Sequence, residues 1–470
     1  MLDLLRPALM AVKAGTEARS GPCPSVDAAD LAKKVTAACG PILPETGSGL
    51  EALPRMAQML AEGAADPAMP WCAGHLHTPP LAVAVAADTV SALLNASLDS
   101  WDQAPCASVI EEQLTDALAR MVFPRTSAPS AVMTTGGTDS TLTGLLLARE
   151  HAQTRGEGPL QVICGSNAHH SVARAAWMLG LRPPAVVRCP QGRLDISHLA
   201  ETLSSLESAV VVATAGTTDA GIVDPLRDVA ELTRSHRAWL HVDAAYGGPT
   251  LFSDALRHRL HGVEQADTVS VDLHKFGWQP LSAGMLAARE ATLFAPLATR
   301  ADYLNADDDT EAGLPDLLGR SWRTSRPADA FKIAVTLQAI GRRGMAALVE
   351  QCCRTATDVA GYIERHPGLR LWAQPELSTV LFRPLACDRL GDEGDRTLAA
   401  LRRHLLAGTA VLGRARMPDQ DDRERMWLKL TILHPHTTLT DYERLLDLVA
   451  TSAAEHGARR PHLPLTGRGQ

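Results

Sequence analysis

From residue 131 onward the chain alternates short, almost wholly apolar runs with longer amphipathic stretches. The apolar runs cover 131–134, 162–164, 186–188, 209–213, 239–242, 268–271 and 285–287. Between several of them, 140–150, 171–179 and 226–235 carry helical spacing. Strands that are apolar on both faces and alternate with helices predict a mainly parallel, seven-stranded sheet covered on both sides. Ligands of such sheets bind outside the carboxyl ends of the strands. Polar residues just beyond each run are therefore the place to look for chemistry.

The flanks read differently. Residues 1–78 are helical and amphipathic, broken at Gly40-Pro41 and Pro44, and Pro79-Pro80 marks a boundary. The Ala-rich stretch 81–98 predicts a helix that is buried or packed on a partner. Within 297–326 lies an acidic, turn-rich run, Ala306 to Glu311, which reads either as a solvated surface loop or as a mobile lid. Helices over 334–341 and 345–366, then strand-like runs at 369–372, 379–382 and 426–433, predict a smaller α+β domain. The tail beyond Gly457 is expected to fray. The expected division is an N-terminal helical segment 1–78, a large domain 79–333 and a small C-terminal domain 334–470.

Composition narrows the function. Net charge is −8 with both signs interspersed, so no basic stripe suggests nucleic acid, and a small-molecule partner fits better. The nine cysteines are odd in number and form no CxxC, which argues against a disulfide framework or structural zinc and for a reducing compartment. No run approaches ~18 apolar residues, so no membrane span is expected and the cytoplasm is the expected location. Arginine outnumbers lysine 39 to 6, and Lys275 is the only lysine between Lys34 and Lys332. Arginine cannot replace an amine that must lose its proton and form an imine. An ordinary surface lysine is the plainer alternative.

Four motifs follow strand ends. TTGGTDS, from Thr134 to Ser140, leads from a strand into a helix, where glycines and helix N–H groups can hold a phosphate; a plain tight turn would look similar. HVDAAYGG, from His241 to Gly248, places Asp243 at the end of a buried strand, where a protonated heterocycle would be a good partner. As the bland alternative, Asp243 caps the next helix. VDLHKFG, from Val271 to Gly277, carries the lone lysine after His274. NAHHS, from Asn167 to Ser171, offers an imidazole to stack on a flat ring. His169 and His170 lack carboxylate or cysteine partners at suitable local spacing, so metal is not expected. Phosphate cradle, stacking ring, acid and amine together suit pyridoxal phosphate.

With these motifs the sequence resembles the group II pyridoxal-phosphate decarboxylases, over about residues 70 to 440. ASLDSWDQ (Ala96 to Gln103), DLHKFGWQP, ADYLNADDD and GLPDLLGRS are similar to the bacterial diamino-acid branch, especially the lysine decarboxylases of siderophore pathways. The resemblance implies an aspartate-aminotransferase-like, fold type I large domain and a homodimer with sites at the subunit interface. It also implies roles by position. Lys275 forms the Schiff base, Asp243 pairs with the ring nitrogen, and His169 and Ala245 lie on opposite ring faces. Gly136, Gly137 and Thr138 contact the phosphate with His274 close by, and Thr217 lies near the ring substituents.

Several positions depart from the family pattern. Asp139 and Thr141 stand where close relatives read Gln and Asn, and an acid beside a phosphate is unfavourable unless it points away. His434 replaces a common Asn. Leu317 matches the loop tyrosine that returns the proton in aromatic-acid decarboxylases, which leaves His169 and then Tyr303 as candidate proton donors. Asp99 stands where those enzymes place an aromatic residue lining the partner subunit's pocket. Together with Asp102 and the lid acids it could receive a distal ammonium; ordering a turn is the alternative. The expected reaction is decarboxylation of a diamino acid: lysine, then ornithine or diaminobutyrate. The alternatives are another amino acid, decarboxylation-dependent oxidative deamination on the same scaffold, and a non-catalytic homologue that serves as a binding partner.

Overall fold

The computed structural model describes residues 1–299, 301, 303–391 and 393–458. The described chain forms two compact units, one of residues 76–354 with 375–379, the other of 1–75, 355–374 and the chain from 380 on.

The first unit is built on a seven-stranded sheet of β1 (Ser130–Thr134), β2 (Gln161–Gly165), β3 (Ala185–Val187), β4 (Ala209–Thr214), β5 (Trp239–Asp243), β6 (Thr268–Asp272) and β7 (Gly284–Ala288). Their order is β1-β7-β6-β5-β4-β2-β3. β7 is antiparallel to both neighbours, and the pairs from β6 to β3 are parallel. The two reversals at β7 cancel, so β1 runs in the same direction as β6. The carboxyl ends of β1, β2, β4, β5 and β6 therefore share one edge. Every residue of β4, β5, β6 and β7 is buried, which explains the near-continuous apolar runs. On one face the helix Gly137–Thr154 sets Leu145, Ala148 and Ala152 into a core with Val162, Val210 and Leu286. The helix expected over 81–98 spans Ala82–Leu94 and stops at Asn95, which adopts φ 49°.

In the second unit, β8 (Leu369–Leu371), β9 (Thr379–Pro384), β10 (Gly413–Pro418) and β11 (Glu424–Thr431) form a sheet in the order β10-β11-β9-β8. The helices Glu393–Leu406 and Leu439–Ala458 cover it, with Leu398, Leu401, Leu445 and Val449 meeting Leu428 and Leu430 in one core. The N-terminal helices Leu2–Arg19, Ala28–Cys39 and Ala52–Gly63 belong to this unit. Arg19 ties them down: its guanidinium is buried and pairs with Asp66 at 2.6 Å. The helical stretch expected from 334 is one element, Asp329–Arg365, interrupted at Gly341, where φ is 67°. Most of the tail beyond Gly457, and Asp302 within ADYLNADDD, lie outside the described residues.

Candidate active site

β1 ends at Thr134, and a short bend leads directly into the helix Gly137–Thr154. The N-cap position is Gly136, which has no side chain to occupy the first-turn N–H groups. These donors and the helix dipole make an anion site. Gly136 has φ 146°, and a Cβ there would stand 2.8 Å from Cε1 of His274. A Cβ on Gly137 would lie 2.9 Å from that of Ala245 and 3.2 Å from Oδ2 of Asp272. Both glycines are thus required by close approach, and Thr138 is exposed beside them.

Lys275 lies on the one-turn helix Leu273–Phe276, in the connection between β6 and β7. Its Nζ is 3.0 Å from Oδ2 of Asp272, a residue 1 % exposed whose Oδ1 has no hydrogen-bond partner. Burial disfavours the Lys275 ammonium, but the carboxylates of Asp272 and Asp243 outweigh it and hold the amine above its ordinary pKa. His274 turns Nε2 toward Asp272 at 3.6 Å, while its Nδ1 accepts the Ala283 N–H at 3.2 Å. Burial outweighs the pull of Asp272 and holds the His274 imidazole below its ordinary range.

Asp243 closes β5. Its Oδ1 accepts from the Ala245 N–H at 3.1 Å and from Oγ of Ser270, on the adjacent β6, at 3.2 Å. The helix-cap alternative does not describe it, because no helix of the fold begins at this residue. His169 follows β2. Ser171 donates its N–H to Nδ1 at 3.3 Å and places Oγ 2.9 Å from the same atom. A neutral His169 ring therefore carries its proton on Nε2. Burial, reinforced by His170, lowers its pKa against the pull of Asp243. The His170 ring lies 4.0 Å from it, centroid to centroid.

One cavity of about 290 Å³ brings these groups together. Its lining includes Gly136, Gly137, Thr138, His169, Asp243, Ala245, His274 and Lys275. Four expected residues are placed elsewhere. Thr217 is buried and its Oγ1 accepts the Ile222 N–H at 3.1 Å, closing a turn, while its neighbour Thr218 lines the cavity. Tyr303 is 84 % exposed and outside it. Asp99 is buried and accepts from Gln103 and Ser325, at 3.1 and 3.3 Å. Asp102 is exposed and accepts from Ser100 at 2.6 Å. Asp272 and Tyr246 also line the cavity, although the motif reading assigned neither a role; the Tyr246 hydroxyl lies 2.8 Å from Oγ of Ser378. The lone lysine three residues on was the available signal for Asp272.

The model of the pyridoxal-dependent decarboxylase conserved domain matches residues 48–384. The chain belongs to this family. It is an amino-acid decarboxylase, and its cofactor is pyridoxal 5′-phosphate. It is 38 % identical to an L-2,4-diaminobutyrate decarboxylase of Rhizobium meliloti, over 89 % of this chain and 85 % of the relative. With a second enzyme of that name, from Acinetobacter baumannii, it shares 31 % identity over 87 % and 84 % of the two chains. The glutamate decarboxylase domain of diaminobutyrate-pyruvate transaminase and L-2,4-diaminobutyrate decarboxylase from Vibrio parahaemolyticus superposes with a TM-score of 0.83 at 30 % identity, covering 97 % and 95 %. The cavity suits the cofactor. Its glycine cradle would be filled by any Cβ, and an amine and buried carboxylates stand opposite.

Proposed function

We propose that the chain decarboxylates an L-diamino acid, and that Lys275, Asp243 and His169 carry the chemistry. The observation that carries the reading is the convergence of these three groups with the Gly136–Gly137 cradle in one cavity. Two relatives named for L-2,4-diaminobutyrate put that substrate first, with lysine and ornithine after it, a different order from the one the sequence motifs suggested.

In this reading Lys275 holds the cofactor aldehyde through Nζ. The first-turn N–H groups of the helix Gly137–Thr154, with Gly136, Gly137 and Thr138, hold the phosphate. When bound, pyridoxal 5′-phosphate supplies an aldehyde that condenses with the substrate amine and a ring that accepts the electron pair left as CO₂ departs. Asp243 keeps the ring nitrogen protonated, its own orientation fixed by Ala245 and Ser270. His169 and Ala245, which both line the cavity, would flank the ring. Protonated His169, through its Nε2–H, is the first candidate to return a proton to Cα, becoming neutral imidazole as it does so, and Tyr303 is the second. Asp272 holds the Lys275 amine before the cofactor is loaded, and His274 approaches the same carboxylate oxygen.

Asp99 and Asp102 lie outside the cavity of a single chain, so a role toward the distal ammonium requires a second protomer. A homodimer is part of the proposal. It is supported by the apolar side chains left exposed on the helix Ala82–Leu94 (Val85, Val90, Leu93 and Leu94) and on the helix Leu2–Arg19 (Leu2, Leu9 and Met10). A cytoplasmic setting rests on the unpaired cysteine spacing, and a place in siderophore or secondary-metabolite synthesis on ADYLNADDD and GLPDLLGRS. The test is CO₂ release from a panel of L-amino acids, with Lys275→Ala as control. The expected result is highest kcat/KM on a diamino acid and no turnover in the variant. Full activity of Lys275→Ala, or preference for an aromatic or acidic substrate, overturns the reading.

A further inference from the structure

We propose that Asp139 is a positioning residue that ties the return leg of the loop before Arg323 to the phosphate cradle, so that cofactor retention and the setting of Trp322 change together. The proposal rests on the reading of Gly136, Gly137 and Thr138 as the phosphate site.

An acid in the first turn of a helix is favoured by the dipole, but set against a bound phosphate it would repel. The side-chain geometry resolves the conflict. Asp139 is buried, and its Oδ2 accepts the Thr135 N–H at 2.9 Å and the Thr135 hydroxyl at 3.2 Å. Its Oδ1 accepts the indole N–H of Trp322 at 2.9 Å. Asp139 lines the same cavity, but its carboxylate oxygens are occupied by the bend and by Trp322, and Arg323 balances its charge from 3.7 Å. By holding the Thr135 N–H, Asp139 fixes the residue just before Gly136, whose φ of 146° shapes the cradle.

The other end of this contact is equally specific. Trp322 is 54 % exposed, so burial does not fix its indole, and the hydrogen bond to Asp139 orients it. Two residues earlier, Arg320 donates to Oγ of Ser130 and to the Ala131 carbonyl, both at 2.8 Å. The leg from Arg320 to Arg323 is therefore pinned twice, once at the start of β1 and once at the helix that follows it. Only the second pin touches the cradle. It joins the loop bearing the acidic helix Asp307–Glu311 to the backbone that grips the phosphate.

If Asp139 only capped its own helix, Trp322 would have no bearing on the cofactor. The experiment compares wild-type holoenzyme with Asp139→Ala, Trp322→Phe and the double variant. It follows first-order loss of bound-cofactor absorbance after dilution, and tryptophan emission in parallel. Removing hydrogen bonds to a carboxylate should speed release about tenfold in Asp139→Ala. Trp322→Phe should speed it severalfold, and the double variant should release no faster than Asp139→Ala. The emission of Asp139→Ala should shift, and that shift should vanish in the double variant. Wild-type release from Trp322→Phe, or effects that simply multiply, overturns the proposal. Should Asp139→Ala fail to fold, Asp139→Leu, which keeps the shape and removes both acceptor oxygens, takes its place in the cycle with the same outcomes. Failure of the phosphate-site reading is distinguishable, because wild-type protein would then hold pyridoxal as tightly as pyridoxal 5′-phosphate. Retained phosphate preference without a Trp322 effect overturns the coupling alone.

Discussion

Replacing Arg326 by methionine should destabilise the protein in a pH-dependent way. Arg326 and Glu111 form an ion pair at 2.8 Å, with side chains 2 % and 3 % exposed. Oε2 of Glu111 has no hydrogen-bond partner, so the variant leaves a buried carboxyl group without its ion-pair partner, balanced only by the more distant charge of Arg320. Removing one member of a buried pair costs about 3–5 kcal/mol. Glu111 can limit that cost by taking a proton, because burial already raises its pKa against the pull of Arg326. A carboxyl whose folded-state pKa is raised binds its proton more tightly in the folded protein. Its contribution is therefore complete below the ordinary value of 4.5 and is lost as pH rises through the folded value. Urea unfolding followed by circular dichroism should show the full loss of about 3–5 kcal/mol at about pH 8 and a smaller loss near pH 5. Glu111→Leu combined with Arg326→Met removes both charges and should recover most of the stability. A single variant as stable as wild type at the higher pH, or a double variant no better than the single, refutes the reasoning.

Three further outcomes follow from the cavity. Gly136→Ala adds strain of about 1–3 kcal/mol at a positive φ and a clash with His274, so cofactor titration of the apo-protein should show affinity lowered at least about tenfold; unchanged affinity would falsify the cradle geometry. Asp243→Asn should keep the cofactor bound and lower kcat by about 10²–10³-fold, measured by CO₂ release, and near-normal kcat would remove Asp243 from its assigned role. Because burial and His170 lower the His169 pKa below 6.5, its proton is taken up only below the ordinary imidazole range. A His169 that returns the proton as imidazolium should then set an alkaline limb of the pH–kcat/KM profile under that value, and a His169-dependent alkaline limb above it contradicts the assignment.

Apart from the edge strand β3, whose Val186 is exposed, the strands of the large sheet were legible because they are buried on both faces and so read as unbroken apolar runs. The run at 268–271 became Thr268–Asp272, and that at 239–242 became Trp239–Asp243. β10 was not foreseen. It is an edge strand whose Arg414 and Arg416 face solvent while Gly413, Ala415 and Met417 are buried, and charged alternation over six residues resembles loop. That the glycine turn, Lys275 and Asp243 share one cavity was legible because each follows an apolar run. The partners of Asp139 were not, because Trp322 reaches it from 183 residues away. Leu317 is buried with Leu98 and Ala104, a packing that loop composition does not announce.

The place of β7 between β1 and β6 bears on how the site comes into being. Thr134 and Gly284 are register partners, and a Cβ at Gly284 would stand 2.4 Å from Cα of Gly136. The glycine turn after β1 thus meets the lysine-bearing connection only once a strand made some 150 residues later slides in beside it. Loop-closure entropy over such a separation delays that step. A ribosome-bound chain ending before Gly284 would hold the parallel strands and the TTGGTDS turn, yet have no assembled cofactor pocket.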